Sequence, residues 1–223
     1  MQRHLLFSAF LLLGVLASPT GATTLCKNAT GTQDGYFYTF WHDTGANCLH
    51  LWRRGHYRLA WALPENGNLV AGMGWKTGSP TRIVRYRARS FDPGANGYLA
   101  LYGWTTGPLV EYYVVDNWGG FTPPGDGATL LGTVDSDGGR YRIYRTLRVS
   151  QPSIAGTATF AQYWSVRTTR RPMGGDNRIS FANHVAAWRK AGLVLGTRGY
   201  QVIATEGYGS RGRADIRVRA DRR

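Results

Sequence analysis

The sequence predicts an all-β fold of two packed, antiparallel sheets with a single α-helix. Three observations lead there. From Gly35 onward, short segments that alternate apolar and polar residues, or are rich in aromatic and β-branched side chains, follow one another. Turn clusters separate them, and the 30 glycines of the 223-residue chain suit many tight reversals. One segment alone has helical spacing. The length fits one domain with a sizeable core.

Taken in order, residues 1–22, "MQRHLLFSAFLLLGVLASPTGA", place Arg3 and His4 before an apolar run, Leu5 to Ala17, and then small residues. This is the layout of a secretory signal peptide. The run is too short to span a bilayer comfortably, and cleavage is expected after Ala22, with Ala17 the other site. The mature protein is therefore expected to be soluble, extracellular and without a membrane anchor. Residues 23–34 form an N-terminal segment carrying Cys26. In an exported chain, Cys26 and Cys48 either bridge the new N-terminus to the first hairpin or remain two free thiols.

Residues 35–218 are the expected folded domain. "GYFYTFWH", "HYRLAWAL", "NLVAGMGW", "IVRYRARSF", "GYLALYGWT", "LVEYYVVDNW", "GRYRIYRTLRV", "TFAQYWSVR", "GYQVIATEGY" and "ADIRVR" read as strands. "PENG", "TGSP", "DPGANG", "TPPGDG", "DSDGG" and "QPSIAG" read as turns. "SFANHVAAWRKAG" reads as the helix. Its apolar positions Phe181, Val185, Ala186 and Trp188 recur at helical spacing, Ser180 is the expected N-cap and Gly192 the expected stop. Residues 219–223 are a short basic tail.

Strand parity then sorts the residues. On "LVEYYVVDNW", Leu109, Glu111, Tyr113 and Val115 share a face. Tyr98, Tyr102 and Trp104 share one on the preceding strand, Gln162 and Trp164 on another, and Tyr200, Val202, Ala204, Glu206 and Tyr208 on the last long one. If these faces meet on a concave sheet, they make a cleft lined by rings and two carboxylates. Glutamate occurs at only three positions, and Glu65 sits in a turn. The other two stand among aromatics, where a carboxylate has low strand propensity. Paired carboxylates flanked by rings are what glycosidic bond cleavage needs. Spacing alone leaves a non-catalytic sandwich with two exposed glutamates equally open.

The formal charge of +14 raises nucleic acid or anionic polymers as partners. The arginines are dispersed, however, and Arg85, Arg87 and Arg89 alternate, as do Arg140 and Arg142, like the solvent faces of strands. No zinc-type spacing is present, so neither a metal site nor a cofactor is expected. His42, His50, His56 and His184 read as surface or satisfied core residues.

"PLVEYYVVDNWG" and "YQVIATEGY" resemble the two signature segments of the family 11 glycoside hydrolases, the endo-1,4-β-xylanases. "GNLVAGMGWKTGSP", "GYLALYGWT", "VDSDGGRYRIYRTLRVSQPSIAG", "FAQYWSVR" and "NHVAAWRKAGLVLG" follow in that family's order. The resemblance covers roughly Gly35 to Val218. It implies a β-jelly roll of two curved sheets, a retaining mechanism and a xylan substrate; a monomer is the default expectation. Glu111 would be the nucleophile and Glu206 the general acid/base.

The same resemblance implies substrate contacts from Trp41, Tyr102, Tyr113, Arg148, Gln162 and Tyr200. It makes "QPSIAG" a loop closing over the sugar chain, with Pro152 and Ser153 near it. Tyr98, Trp104, Trp164 and Tyr208 join these on parity. Asn68 would stand beside the acid/base without adding charge, which implies activity from mildly acidic to somewhat alkaline pH. Thr106, Met73 and the basic "GYGSRGRAD" depart from the family pattern but leave both glutamates in place. The rival readings are a non-catalytic carbohydrate-binding β-sandwich, a nucleic-acid binder and a related jelly-roll cellulase. The acids at the cleft centre and the scattered arginines count against nucleic acid.

Overall fold

The computed structural model describes residues 22–219. The expected leader and basic tail, apart from Ala22 and Arg219, fall outside the described residues. In chain order the elements are β1 (Thr23–Leu25), β2 (Ala29–Gln33), β3 (Tyr36–His42), β4 (Cys48–Trp52), β5 (His56–Ala62), β6 (Asn68–Trp75), β7 (Ile83–Asp92) and β8 (Gly97–Thr106). There follow β9 (Val110–Trp118), β10 (Thr129–Ser136), β11 (Gly139–Ser153), β12 (Gly156–Arg167), β13 (Asn177–Ser180), α1 (Phe181–Lys190), β14 (Thr197–Tyr208) and β15 (Arg211–Arg219).

The strands form two sheets. A six-stranded sheet runs β1-β4-β5-β15-β7-β13, and a nine-stranded sheet runs β10-β11-β12-β9-β8-β14-β6-β3-β2. This is the all-β jelly roll, with one helix among the described residues. The ten strands read from the sequence are all present, with bounds shifted by a few residues at most of their ends. β1, β2, β4, β10 and β13 come in addition. One pairing departs from the antiparallel expectation: β12 lies parallel to β9. Parallel neighbours need a long crossover, and the residues between Trp118 and Gly156 supply it.

One face of the nine-stranded sheet packs on the six-stranded sheet. Leu49, Leu51, Tyr57 and Leu59 meet Leu99, Leu101, Tyr112, Val114 and Ile203 there. These are the alternate residues to the cleft set, as period-two geometry requires. A bulge in β9 opposite Leu99 and Ala100 leaves Asp116 without a cross-strand partner. Its buried carboxylate accepts from Tyr86 Oη at 2.5 Å, Tyr141 Oη at 2.6 Å and Arg171 Nε at 2.7 Å. A carboxylate so deep needs such partners, and because Tyr86 belongs to the six-stranded sheet the network pins the two sheets together.

Cys26 and Cys48 are bonded. Cys26 lies where the chain passes from β1 in one sheet to β2 in the other, so the bridge holds that crossing against β4.

The helix corrects three details. Ser180 makes no side-chain capping bond; its hydroxyl donates to Asp137 Oδ1 at 2.9 Å instead. Ala186 is exposed, and His184 takes the buried position between Phe181 and Trp188. Rather than being satisfied, His184 has no hydrogen-bond partner on either ring nitrogen, and burial pushes its pKa down to about 3. Gly192 does end the helix, with φ +77°. Its N–H and that of Leu193 donate to Arg189 and Trp188, closing the last turn.

Candidate active site

The other face of the nine-stranded sheet carries the cleft. Register across its centre sets the composition. Tyr102 lies opposite Tyr113 and Trp104 opposite Glu111, while the parallel β12 places Gln162 beside Glu111 and Trp164 beside Tyr113. On the far side of β8, Glu206 lies opposite Tyr98, and β6 brings Asn68 opposite Tyr208. A second bulge, at Gly199 and Tyr200 of β14, falls opposite Trp104. A Cβ on Gly103 would stand 2.4 Å from the Tyr200 carbonyl oxygen, so only glycine permits this approach.

The two carboxylates have unlike surroundings. Both Glu111 oxygens are held by donors. Tyr102 Oη donates to Oε1 at 2.7 Å and Gln162 Nε2 to Oε2 at 2.6 Å. Each donor is itself anchored. Trp104 Nε1 donates to Tyr102 Oη at 2.6 Å. Trp164 Nε1 donates to Thr146 Oγ1 at 3.0 Å, and Thr146 in turn donates to Gln162 Oε1 at 2.9 Å. Thr146 thereby decides which end of the Gln162 amide faces Glu111.

Glu206 is held by less. Asn68 Nδ2 donates to its Oε1 at 3.3 Å and also to the Gly207 carbonyl at 3.2 Å. Its Oε2 is buried and makes no hydrogen bond. The two side chains are almost equally hidden, with Glu111 7% and Glu206 8% exposed. Burial, followed by the charge of Glu111, pushes Glu206 up to about 7, although the nearby Tyr98, Asn68 and Tyr113 groups pull the other way. Burial also raises Glu111, but Gln162, Tyr102 and Tyr113 oppose it, with Arg148 adding positive charge. When the pair holds one proton, it belongs on Glu206. The cleft tyrosines Tyr98, Tyr102, Tyr113 and Tyr200 are raised above their ordinary range, chiefly by burial, and stay protonated as donors.

The rings pack into a wall. Tyr113 and Trp164 stack at 3.9 Å with planes 5° apart, and Tyr102 lies 5.0 Å from Tyr113 and 6.0 Å from Tyr200. The cleft has a volume of about 930 Å³, and the structure brings every site residue read from the sequence to its lining, from Trp41 and Asn68 to Arg148, Pro152, Ser153 and Tyr208. Tyr208 stands at the rim, 42% exposed.

The "QPSIAG" segment is less a loop than the tip of a hairpin. β11 runs through Ser153, whose hydroxyl donates to the Gly156 carbonyl at 2.6 Å and accepts from the Ala155 N–H at 3.0 Å.

Sequence reasoning missed Thr39, Phe121, Pro123, Pro124 and Phe160 of the lining, and Thr146 behind it. Thr146 sits in a basic, outward-reading strand; only its register opposite Gln162 betrays it.

Residues 33–217 match the model of the glycosyl hydrolases family 11. The chain is 52% identical to ethylene-inducing xylanase 1 of Botryotinia fuckeliana (strain B05.10), over 86% of its own length and 66% of that protein. It is 46% identical to a bifunctional xylanase/xylan deacetylase of Cellvibrio japonicus, over 91% of its own length and 31% of that protein. It is 44% identical to endo-1,4-beta-xylanase 11A of Botryotinia fuckeliana (strain B05.10), over 96% of its own length and 97% of that protein. The chain thus spans less than two thirds of the first two and nearly all of the third. With the match running from the last residue of β2 into β15, and taking in both cleft carboxylates, the chain belongs to glycosyl hydrolases family 11.

Proposed function

We propose that the protein is a secreted, monomeric endo-1,4-β-xylanase that cleaves internal bonds of xylan with net retention and without a cofactor. The observation that carries this reading is the unlike state of the two carboxylates. Glu111 has a donor on each oxygen and is suited to being an ionised nucleophile. Glu206 is pushed up to about 7 and holds its proton for the leaving group. The names of the relatives support xylan as the substrate. Export rests on the apolar run at Leu5–Ala17, and among the described residues no helix is long and apolar enough to cross a membrane.

In this mechanism Glu206 protonates the glycosidic oxygen as Glu111 attacks the anomeric carbon through an oxocarbenium-like transition state. A separation of roughly 5–5.5 Å between the carboxyl groups suits direct attack. Forming the ester removes the Glu111 charge, which is one of the causes holding Glu206 up. Glu206 then becomes more acidic and takes a proton from water, which attacks the ester and releases the sugar. Tyr102 and Gln162 hold Glu111 at a fixed angle throughout, so little reorganisation accompanies attack.

The test is reducing-end release from soluble glucuronoxylan by the mature protein and by Glu111→Gln, with carboxymethyl cellulose alongside. Proton NMR follows the anomer released first. Activity on xylan alone, lost in the folded variant and giving the β-anomer first, is the expected result. A folded wild type that binds xylan without cleaving it would make this a carbohydrate-binding sandwich instead.

A further inference from the structure

The outer face of the six-stranded sheet lies on the side of the molecule away from the cleft, because the inner face of that sheet packs on the back of the nine-stranded sheet. Alternation sends Arg85 and Arg87 of β7 and Arg217 and Arg219 of β15 outward, between buried Val84, Tyr86, Ala88, Ile216 and Val218. Register then sets like charges directly against each other: Arg217 opposite Arg87, and Arg219 opposite Arg85. Arg178 of β13 faces Arg85 from the other side, so Arg219, Arg85 and Arg178 make one row across three strands.

Directly opposed like charges destabilise a sheet. Nothing in the packing beneath requires arginine at these positions, since the outward residues do not fill the core. Among the described residues, two carboxylates set against six guanidinium groups offset the block only in part. Asp176 takes both Arg87 Nε at 2.9 Å and Arg219 Nη1 at 3.0 Å, and Asp137 takes Arg178 at 3.2 Å. Arg89, at the bulge beside this block, adds another exposed guanidinium. The excess of guanidinium over carboxylate does not depend on any one of these pairs.

We propose that this arginine block on β7, β13 and β15 is a second binding surface, and that its occupant is a carboxylate-bearing polysaccharide chain such as uronate-substituted xylan. Charge complementarity selects a polyanion. Guanidinium is the group best matched to carboxylate, because its planar fork can engage both oxygens. The choice of polysaccharide rests on the xylanase reading above, which puts such chains in contact with the protein. A chain held here leaves the cleft free for another, so the surface raises the local concentration of substrate rather than competing with it.

The test compares the mature protein with Arg85→Gln/Arg87→Gln/Arg217→Gln/Arg219→Gln. Binding is measured with Glu111→Gln added to both proteins, so that nothing is cleaved, to glucuronoxylan and to the same polymer after reduction of its carboxyl groups, with the cleft filled by a neutral xylo-oligosaccharide; cleavage is measured separately with Glu111 intact. At low salt the parent should bind the acidic polymer about tenfold more tightly than the reduced one, and the variant should lose that preference. Both should cleave the neutral oligosaccharide within twofold of each other, which separates this proposal from the reading of the cleft. Arg89→Gln/Arg217→Gln, which keeps both partners of Asp176, should lose part of the preference and guards against a fold defect. Equal binding by parent and variants, or equal binding of the two polymers by the parent, overturns the proposal. Tighter binding of a DNA duplex than of glucuronoxylan at the same salt overturns the choice of polysaccharide.

Discussion

Gln162 and Glu111 face each other across the parallel pairing of β12 with β9, and the amide nitrogen reaches Oε2 at 2.6 Å. A flipped amide would set a carbonyl oxygen against a carboxylate. Thr146 prevents this by donating to the amide oxygen. Replacing Thr146 by Val keeps the shape and removes the donor. The expected result is a roughly tenfold loss in kcat, equivalent to about 1.4 kcal/mol, with little change in KM. Thr146→Ser should restore most of the rate. A Thr146→Val enzyme with wild-type kcat would show that the amide holds its orientation unaided.

The Glu206 proton can be followed directly. Carboxyl-carbon NMR of the free protein should place its titration near 7, and kcat/KM should fall on the alkaline side with the same midpoint. In Glu111→Gln the charge that helps raise Glu206 is gone, so its titration should move down by a unit or more. No movement would mean that burial alone sets the value.

Two buried groups tie stability to pH with opposite signs. Folded Glu206 keeps a proton that the unfolded chain loses above 4.5, so its contribution is full below 4.5 and is lost as pH rises through about 7. Folded His184 refuses a proton that the unfolded chain accepts below 6.5, so its contribution is present above 6.5 and is lost as pH falls toward 3. Each changes stability by about 1.4 kcal/mol per pH unit inside its window. Denaturant titrations at several pH values should show Glu206→Gln gaining on the wild type as pH rises from 4.5 to 7. His184→Phe should gain on it as pH falls from 6.5 toward 3. Parallel stability curves for all three proteins would contradict both assignments.

The pin between the sheets should be costly to break. Arg171→Met leaves Asp116 buried with two tyrosine donors and no counter-charge, and about 3–5 kcal/mol of stability should be lost. Adding Asp116→Asn should recover part of that loss, because the stranded charge disappears. Thermal unfolding of the single and double variants makes the comparison. A single variant as stable as the wild type would show that Tyr86 and Tyr141 suffice.

Much of this was legible in the chain because side chains alternate between the two faces along the stretches of the long strands that carry the cleft residues. Parity alone placed Glu111 with Tyr113, and Glu206 with Tyr200 and Val202, on one face. What parity cannot see is pairing. The order of β12, β9, β8, β14 and β6 in the sheet brings Gln162 to Glu111 and Asn68 to Glu206, and no local pattern encodes it. β10 escaped notice because it is exposed on both faces over most of its length and so has little alternation to read. β13 is only four residues long. Asp116 reads as an ordinary strand residue until the bulge leaves it unpaired. His184 hides among helix positions where Ala186 had the better apolar credentials.

The last two strands occupy the middle of both sheets: β14 lies between β8 and β6, and β15 between β5 and β7. A chain leaving the ribosome therefore has its first 196 residues of 223 out before either slot can be filled. Until then the edges of β8, β6, β5 and β7 that these strands will cover stand open, two in each sheet, and they are templates for the wrong partner. These two strands, one in each sheet, close all four edges, and β14 delivers Glu206 in the same step. With Glu206 as the proposed acid/base, the nascent protein gains its activity only once its fold is sealed, and a chain cut short before β14 should be both inert and prone to stick to its neighbours.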